Sequence, residues 1–551
     1  MTYPEIPLAQ SIIQICLAKG VTDIVISPGS RNAPLTIGFA SNPAFKCYSI
    51  ADERCAAFFA TGMAQQLQKP VAVVCTSGSA LLNYYPAVAE AFYSQVPLVV
   101  ISADRPHDKI DIGDGQTIRQ ENVYANHILF SANLTEGASA VNDHKISEAI
   151  DTAVSQKGPV HINAPFEEPL YQTVDNLTVK TEIPDSTVKA EKAEENLEPY
   201  ISEWNKAEKK LLMVGVNNPD TIDIDVINRL AQDPSVVVMT ETTSNLHHQS
   251  FISNIDTVIT PFTEEDFKAW QPEILLTFGG MVVSKRVKAW LRNYKPANHW
   301  HIDKLRAYDT YGALTKQFKE TPNHFLKRFL PLTEAKNSNY SRMAETVKEY
   351  RKVKQEAYLQ KTPFSDLKAF DMLLPEIPDY SQLHISNSSP IRYAQLFSIK
   401  PGIEVFCNRG TSGIDGCTST AIGAAVATEK ETFLITGDVS FLYDSNALWN
   451  NYIPDNFKII VINNGGGGIF RILPGHRENA VFNTYFETAH TLNASHLAAM
   501  YGFEYIKADD ENSLSSGIAV LKQSSVKAIL EIFTPMLVND EILKQYFKEL
   551  I

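Results

Sequence analysis

VAVVCTSGSALLNYYPAVAEAFYSQVPLVVISA, residues 71–103, reads as a strand, a helix and a second strand. VAVVCTS (71–77) and PLVVISA (97–103) are short apolar runs rich in β-branched residues and bounded by Ser, Gly and Pro. Between them, residues 79–93 carry apolar side chains at three- and four-residue spacing, the period of an amphipathic helix. Strands that are apolar throughout, rather than alternating, belong to a parallel sheet covered by helices on both faces.

The same alternation extends in both directions. TDIVIS (22–27) and PVHINA (159–164) add strands, and residues 8–19 and 53–68 add helices, giving a first α/β unit over 1–178. A polar, acidic stretch from about 175 to 198 reads as a linker. Strands resume at LLMVGV (211–216), SVVVMT (235–240), ILLTFGG (274–280) and HWHID (299–303), a second and smaller unit over 195–335. A charged helical segment near 340–360 leads into a third unit, 345–551, with strands LHIS (383–386), EVFCN (404–408), TFLITGD (432–438), KIIVINN (458–464) and AILEIF (528–533). At 551 residues the chain exceeds one hydrophobic core. The expected fold is α/β, with three doubly wound parallel-sheet domains.

Bulk properties narrow the function. Hydrophobic residues make up 44% and charged residues 20%, as in ordinary globular proteins. No run of eighteen apolar residues occurs, and MTYPEIPLAQS has neither the basic nor the apolar region of a signal peptide, so a cytoplasmic protein without a membrane span is expected. The six cysteines form no CxxC pair and read as buried free thiols. His247-His248 and the His299/His301 pair have no partners at metal-ligand spacing. A net charge of −14 argues against nucleic acid as a partner. An acidic protein that handles anions must gather its positive charge in the pocket.

Chemistry is concentrated at strand ends. Gly437-Asp438 ends TFLIT, and Asn463-Asn464 ends KIIVI 26 residues later and runs into Gly465-Gly466-Gly467-Gly468. Ligands of open parallel sheets bind at the carboxyl ends of strands. A carboxylate, an amide oxygen and exposed carbonyls suit Mg²⁺, which takes oxygen ligands and usually shares them with phosphate. Glycines let the backbone approach a diphosphate. A capping Asp or a glycine-rich turn alone is commonplace, but the two together at this spacing are not. Ser27-Pro28-Gly29-Ser30-Arg31 follows TDIVI as an anion-accepting strand–helix turn. Asp52-Glu53 opens a helix, where acids are favoured by the helix dipole, and residue chemistry alone does not choose between them.

Gly-Asp followed some two dozen residues later by Asn-Asn resembles the signature of thiamine-diphosphate enzymes. The segments SPGSRNAPL (27–35), SADRP (102–106), DGQTIRQ (114–120), SKR (284–286), SNSSPIR (386–392), NRGTSGIDG (408–416) and IFRILP (469–474) extend the likeness along the whole chain. Together they are similar to the SEPHCHC synthase family of menaquinone biosynthesis. The family implies decarboxylation of 2-oxoglutarate and conjugate addition of the succinyl unit to isochorismate, with thiamine diphosphate and Mg²⁺ (or Mn²⁺) as cofactors. It implies that Glu53 is the carboxyl that hydrogen-bonds the aminopyrimidine nitrogen N1′. Carried over by motif position, Asp438, Asn464 and the Gly466 carbonyl hold the metal. Glu53, Ser388, Arg409, Ile414, Gly437, Ser440, Ile469, Phe470 and Leu473 lie against the cofactor. Arg31, Arg105, Gln116, Lys285, Arg286, Ser388, Arg392 and Arg409 line the substrate pocket.

The chain departs from the family pattern at Val439, where glycine is usual, and at Gly465, where many relatives have a further Asn. The second departure leaves Asn463 as the competing amide ligand. The resemblance also implies a homodimer, or a homotetramer of two such pairs, with cofactor sites between subunits. A carboligase or decarboxylase acting on pyruvate would use the same cofactor but needs one carboxylate anchor, not several arginines. A dinucleotide-binding protein on the same scaffold would carry GxGxxG or GxxxxGK[ST], and neither occurs.

Overall fold

The computed structural model describes residues 2–183, 195–472 and 478–551. Three all-parallel sheets form the layers. The first has the order Lys46–Ser49, Asp23–Ile26, Val71–Cys75, Leu98–Asp104, Val160–Pro165, Ser131–Asn133. The third repeats that topology with Glu404–Phe406, Gln382–Ile385, Thr432–Gly437, Phe457–Asn463, Ala528–Phe533 and Glu504–Ala508. Five strands make the middle sheet: Val236–Thr240, Lys210–Val214, Ile274–Phe278, Asn298–Ile302 and Leu314–Phe318. The three doubly wound α/β domains read from the sequence are present.

The differences from the sequence reading have physical causes. Lys46–Ser49, Ser131–Asn133, Leu314–Phe318 and Glu504–Ala508 were not anticipated, and each lies at a sheet edge. An edge strand meets solvent along one side, so Lys, Glu or Gln breaks the apolar run in three of them, and Ser131–Asn133 is only three residues long with polar ends. The expected helix over 79–93 is two helices, Ser79–Asn83 and Tyr85–Ser94. Pro86, which has no backbone N–H, sits in the first turn of the second. Of the expected linker, only 175–183 and 195–198 are among the described residues. All six cysteines are free and five are buried. Among the described residues no helix is long and apolar enough to cross a membrane.

The first and third domains share a core. Phe58, Phe59 and Met63 of helix Glu53–Leu67 join Ala421, Ile422 and Leu434 in one buried cluster. Helix Cys417–Val426 lies so close that a Cβ on Gly62 would be 2.0 Å from the Thr420 carbonyl oxygen, and one on Gly423 would be 2.0 Å from that of Phe59. Gly62→Ala gains about 1 kcal/mol of helix propensity. It nevertheless forces two backbones apart, an overpacking cost of about 1–3 kcal/mol. The expected net result is a lower thermal midpoint, and a midpoint equal to or above wild type would show that the helices can separate freely.

Candidate active site

In the third sheet, strand Gln382–Ile385 lies between its successor Glu404–Phe406 and Thr432–Gly437. The chain therefore builds outward first on one side and then on the other. The loops leaving Ile385 and Gly437 diverge and open a crevice, the usual ligand position in such sheets. A cavity of about 130 Å³ opens here. Ser388, Ile414, Gly437, Asp438, Ser440, Asn464, Gly466, Ile469 and Phe470 all line it. These motif residues, scattered over 388–470, meet because three strand ends converge. Leu473, from the same set, lies outside the described residues.

The donors fit a hard cation with a diphosphate. Asp438 is 3% exposed and Asn464 8%. Asp438 Oδ1 accepts from Val439 N (2.7 Å), and Oδ2 accepts from Gly465 N and Gly466 N (2.9 and 3.0 Å). His490 Nε2 lies 3.3 Å from Oδ2, and this contact raises the pKa of that imidazole. Gly466 has φ +151°, and a Cβ on it would stand 2.7 Å from the Glu487 carbonyl oxygen, so only glycine brings this backbone against the cavity. Among the described residues no three His, Cys, Asp or Glu side chains cluster as a metal site. A cation here would rest on one carboxylate, an amide and a carbonyl, with the remainder from phosphate and water, as Mg²⁺ prefers.

The two asparagines separate cleanly. Asn463 Nδ2 donates to Glu531 Oε1 (2.7 Å) and Leu492 O (3.0 Å), while its Oδ1 accepts from Gly465 N (3.1 Å). Asn463 is fully used by the scaffold and does not line the cavity. Asn464 lines it and donates Nδ2 to Asp366 Oδ2 (2.9 Å), which leaves the amide oxygen as its free acceptor. Asp366 is buried and anchored by Thr534 Oγ1 (2.5 Å). Burial pushes its carboxyl up to about 6, against the hydrogen bonds from Thr534 and Asn464. The sequence reading missed Asp366, which lies 98 positions from Asn464 in a helix start that shows no motif.

Asp52 and Glu53 also separate. Asp52 caps helix Glu53–Leu67, with Oδ1 accepting from Cys55 N (3.1 Å) and Oδ2 from Asn446 Nδ2 (2.8 Å). Burial disfavours its charge, but the hydrogen bonds from Asn446 and Cys55 outweigh burial and lower its pKa. Glu53 is half-buried, and among the described residues its carboxylate takes one hydrogen bond, from Asn83 Nδ2 (3.3 Å). Asp52 is thus committed to the scaffold and Glu53 is available. Glu53 does not line the Asp438 cavity, whose walls among the described residues come from 366–488.

The expected substrate residues fall into two groups. Arg392 Nη1 donates to Ser388 O (2.6 Å), and Arg409 Nη1 donates to Asn387 Oδ1 (2.6 Å), so both guanidiniums are held by cavity-lining residues. Burial and the charge of Arg409 lower the pKa of Arg392. Lys285 and Arg286 open helix Lys285–Asn293, whose cap Ser284 donates to Asp256 (2.5 Å). Arg286 and Arg392 both act on that same carboxylate, whose pKa burial nonetheless raises. The middle domain therefore brings Lys285-Arg286 toward the third-domain arginines. Glu241, also missed in the sequence, accepts from Val283 N and Ser284 N (2.6 and 2.7 Å) and fixes the approach to this helix.

Arg31, Arg105 and Gln116 form the second group, beyond the ends of the first sheet. Arg31 is 4% exposed and donates to Phe166 O (2.9 Å) and Glu168 Oε1 (3.0 Å). Arg105 donates to Gly115 O (2.9 Å), next to Gln116, which has φ +55°. Arg105 Nε and Arg409 Nε are both buried without a hydrogen-bond partner among the described residues. A buried guanidinium N–H left unsatisfied is costly, and a carboxylate or water entering beside it would satisfy it.

Comparison with known proteins agrees with this geometry. Residues 6–125 match the family model "Thiamine pyrophosphate enzyme, N-terminal TPP binding domain", and residues 388–532 match its C-terminal counterpart. Residues 187–385 match "Middle domain of thiamine pyrophosphate". The 2-succinyl-5-enolpyruvyl-6-hydroxy-3-cyclohexene-1-carboxylate synthase of Flavobacterium psychrophilum is 66% identical, with 100% of each chain covered. The proteins of the same name from Flavobacterium johnsoniae and Christiangramia forsetii are 65% and 51% identical, over 100% and 99% of each chain. The chain is a thiamine-diphosphate-dependent enzyme and belongs to the 2-succinyl-5-enolpyruvyl-6-hydroxy-3-cyclohexene-1-carboxylate (SEPHCHC) synthase family.

Proposed function

We propose that the enzyme joins the succinyl unit of 2-oxoglutarate to isochorismate by conjugate addition, with loss of CO₂, in menaquinone biosynthesis. The observation that carries this reading is the two groups of arginines, Arg392 and Arg409 held by residues that line the Asp438 cavity and Arg31 and Arg105 beyond the first sheet, with one Nε–H in each group buried and unpartnered among the described residues. Both substrates are dicarboxylates, and guanidinium forks match carboxylates where a lysine cannot. A pyruvate-type substrate would leave most of these groups unused.

Asp438, the Asn464 amide oxygen and the Gly466 carbonyl are proposed to hold Mg²⁺, with Asp366 keeping the Asn464 oxygen available. Bound thiamine diphosphate supplies the acidic carbon and electron sink that 2-oxoacid decarboxylation needs. Ser388, Gly437 and Ser440 would border the diphosphate end, and Ile414, Ile469 and Phe470 would exclude water from the reacting end. A dry wall favours loss of a carboxylate's charge. Glu53 would hold the proton shared with the aminopyrimidine of the bound cofactor. Because no residue of the first domain lines the Asp438 cavity, Glu53 is proposed to serve the cavity of a second subunit. Exposed Leu82, next to Asn83, and exposed Tyr443, against Arg54, offer apolar surface there for that contact.

Alanine at Arg392, Arg409 or Arg105 tests the substrate assignment. Each change is expected to weaken substrate interaction by about 2–5 kcal/mol, the range for breaking a buried charged pair. Lysine at the same position should restore little. Separate KM measurements for 2-oxoglutarate and isochorismate sort the arginines between the substrates. Unchanged KM and kcat for any one variant removes that arginine from the pocket.

A further inference from the structure

Arg31 and Arg105 do not stand free. Arg31 Nη2 lies 3.0 Å from Glu168 Oε1, and Arg105 Nη1 lies 3.8 Å from the same oxygen. Arg105 Nη1 is also 3.7 Å from Asp114 Oδ2. The Glu168 side chain is 65% exposed, whereas that of Arg31 is 5% exposed. Among the described residues, the Glu168 carboxylate is held by these two arginines alone. Strand Val160–Pro165 pairs with Leu98–Asp104, with Pro165 beside Asp104, so Glu168 and Arg105 leave neighbouring strand ends together.

This placement is unlike that of the other acids around the site. Glu241 and Asp366 are buried and accept from two groups each, so they hold backbone and side chains in place. Among the described residues, Glu168 caps no helix and its carboxylate accepts from no backbone N–H. Its oxygen sits between two guanidiniums, where an incoming carboxylate would bind best. We infer that Glu168 is a specificity-determining residue that competes with a substrate carboxylate for Arg31 and Arg105. In the free enzyme it keeps a buried Arg31 paired. On substrate entry one carboxylate exchanges for another, so a ligand lacking a carboxylate cannot displace it.

The inference rests on the reading that this arginine pair takes a substrate carboxylate. Steady-state kinetics of the holoenzyme, with each substrate varied in turn, separates the two. Glu168→Gln keeps an amide oxygen for Arg31 and removes the charge. Its KM for one of the two substrates is expected to fall about two- to fivefold, the effect of removing a partly exposed ion pair, with kcat unchanged. Glu168→Ala is expected to shift the same KM in the same direction. An unchanged or raised KM for both substrates in the Gln variant overturns the inference, as does a raised KM in the Ala variant, which would make Glu168 a positioning residue for Arg31. Arg105→Ala is the parallel control. If it raises a KM while Glu168→Gln lowers none, the inference alone fails. If it changes neither KM, the substrate role of the pair fails instead.

Discussion

Glu53→Gln enzyme is expected to bind thiamine diphosphate and Mg²⁺ with near-normal affinity while kcat falls about 10²–10⁴-fold, the range for losing a positioned acid–base group. Gln preserves shape and can still hydrogen-bond, but it cannot exchange a proton with the ring nitrogen. Such a group acts mainly in the transition state, so kcat falls more than KM rises. The neighbouring acid is not a substitute, because both Asp52 oxygens are occupied by Cys55 N and Asn446 Nδ2. Calorimetry for binding and initial rates for turnover check both halves. A variant with normal kcat would remove Glu53 from the proton path.

Asp438→Ala should fail at the earlier step. Its carboxylate is the one acid in the proposed metal set, and the whole chain carries a net charge of −14. Without that cation a diphosphate would face that charge with only neutral backbone and hydroxyl donors. Binding of thiamine diphosphate plus Mg²⁺ is expected to vanish in calorimetry or thermal shift, and undiminished binding would refute the metal assignment. The two variants together report on assembly. If Glu53 serves a second subunit, mixing them under subunit exchange gives hybrids with one doubly damaged and one intact site. Random pairing makes half of the dimers hybrids, so activity should recover to about a quarter of wild type. Activity that stays at the single-variant level, with exchange shown by tagged pull-down, would place the site within one chain.

How legible the protein was depends on where the information sits. Central strands such as Val71–Cys75 and Phe457–Asn463 are buried on both faces and read directly as apolar runs. Edge strands such as Glu504–Ala508 carry solvated side chains and do not. Gly437-Asp438 and Asn463-Asn464 were legible as a site because a parallel sheet must deliver consecutive strand ends to one edge. The choice between the two asparagines was not, since it depends on Glu531 and Asp366, which only folding brings beside them. Asp52 against Glu53 was open for the same reason, since the hydrogen bond that occupies Asp52 comes from Asn446, 394 positions away. The arginines were legible by motif. Their carboxylate partner Glu168, 137 positions from Arg31, belongs to no motif quoted from the sequence.

The central claim is the reaction itself, and one assay addresses it. The wild-type chain is incubated with isochorismate, 2-oxoglutarate, thiamine diphosphate and Mg²⁺ while isochorismate absorbance is followed. The account predicts a loss of absorbance that requires every component and stops when any one of them is omitted. Isochorismate that persists in the complete mixture, or that is consumed equally without 2-oxoglutarate, would contradict it.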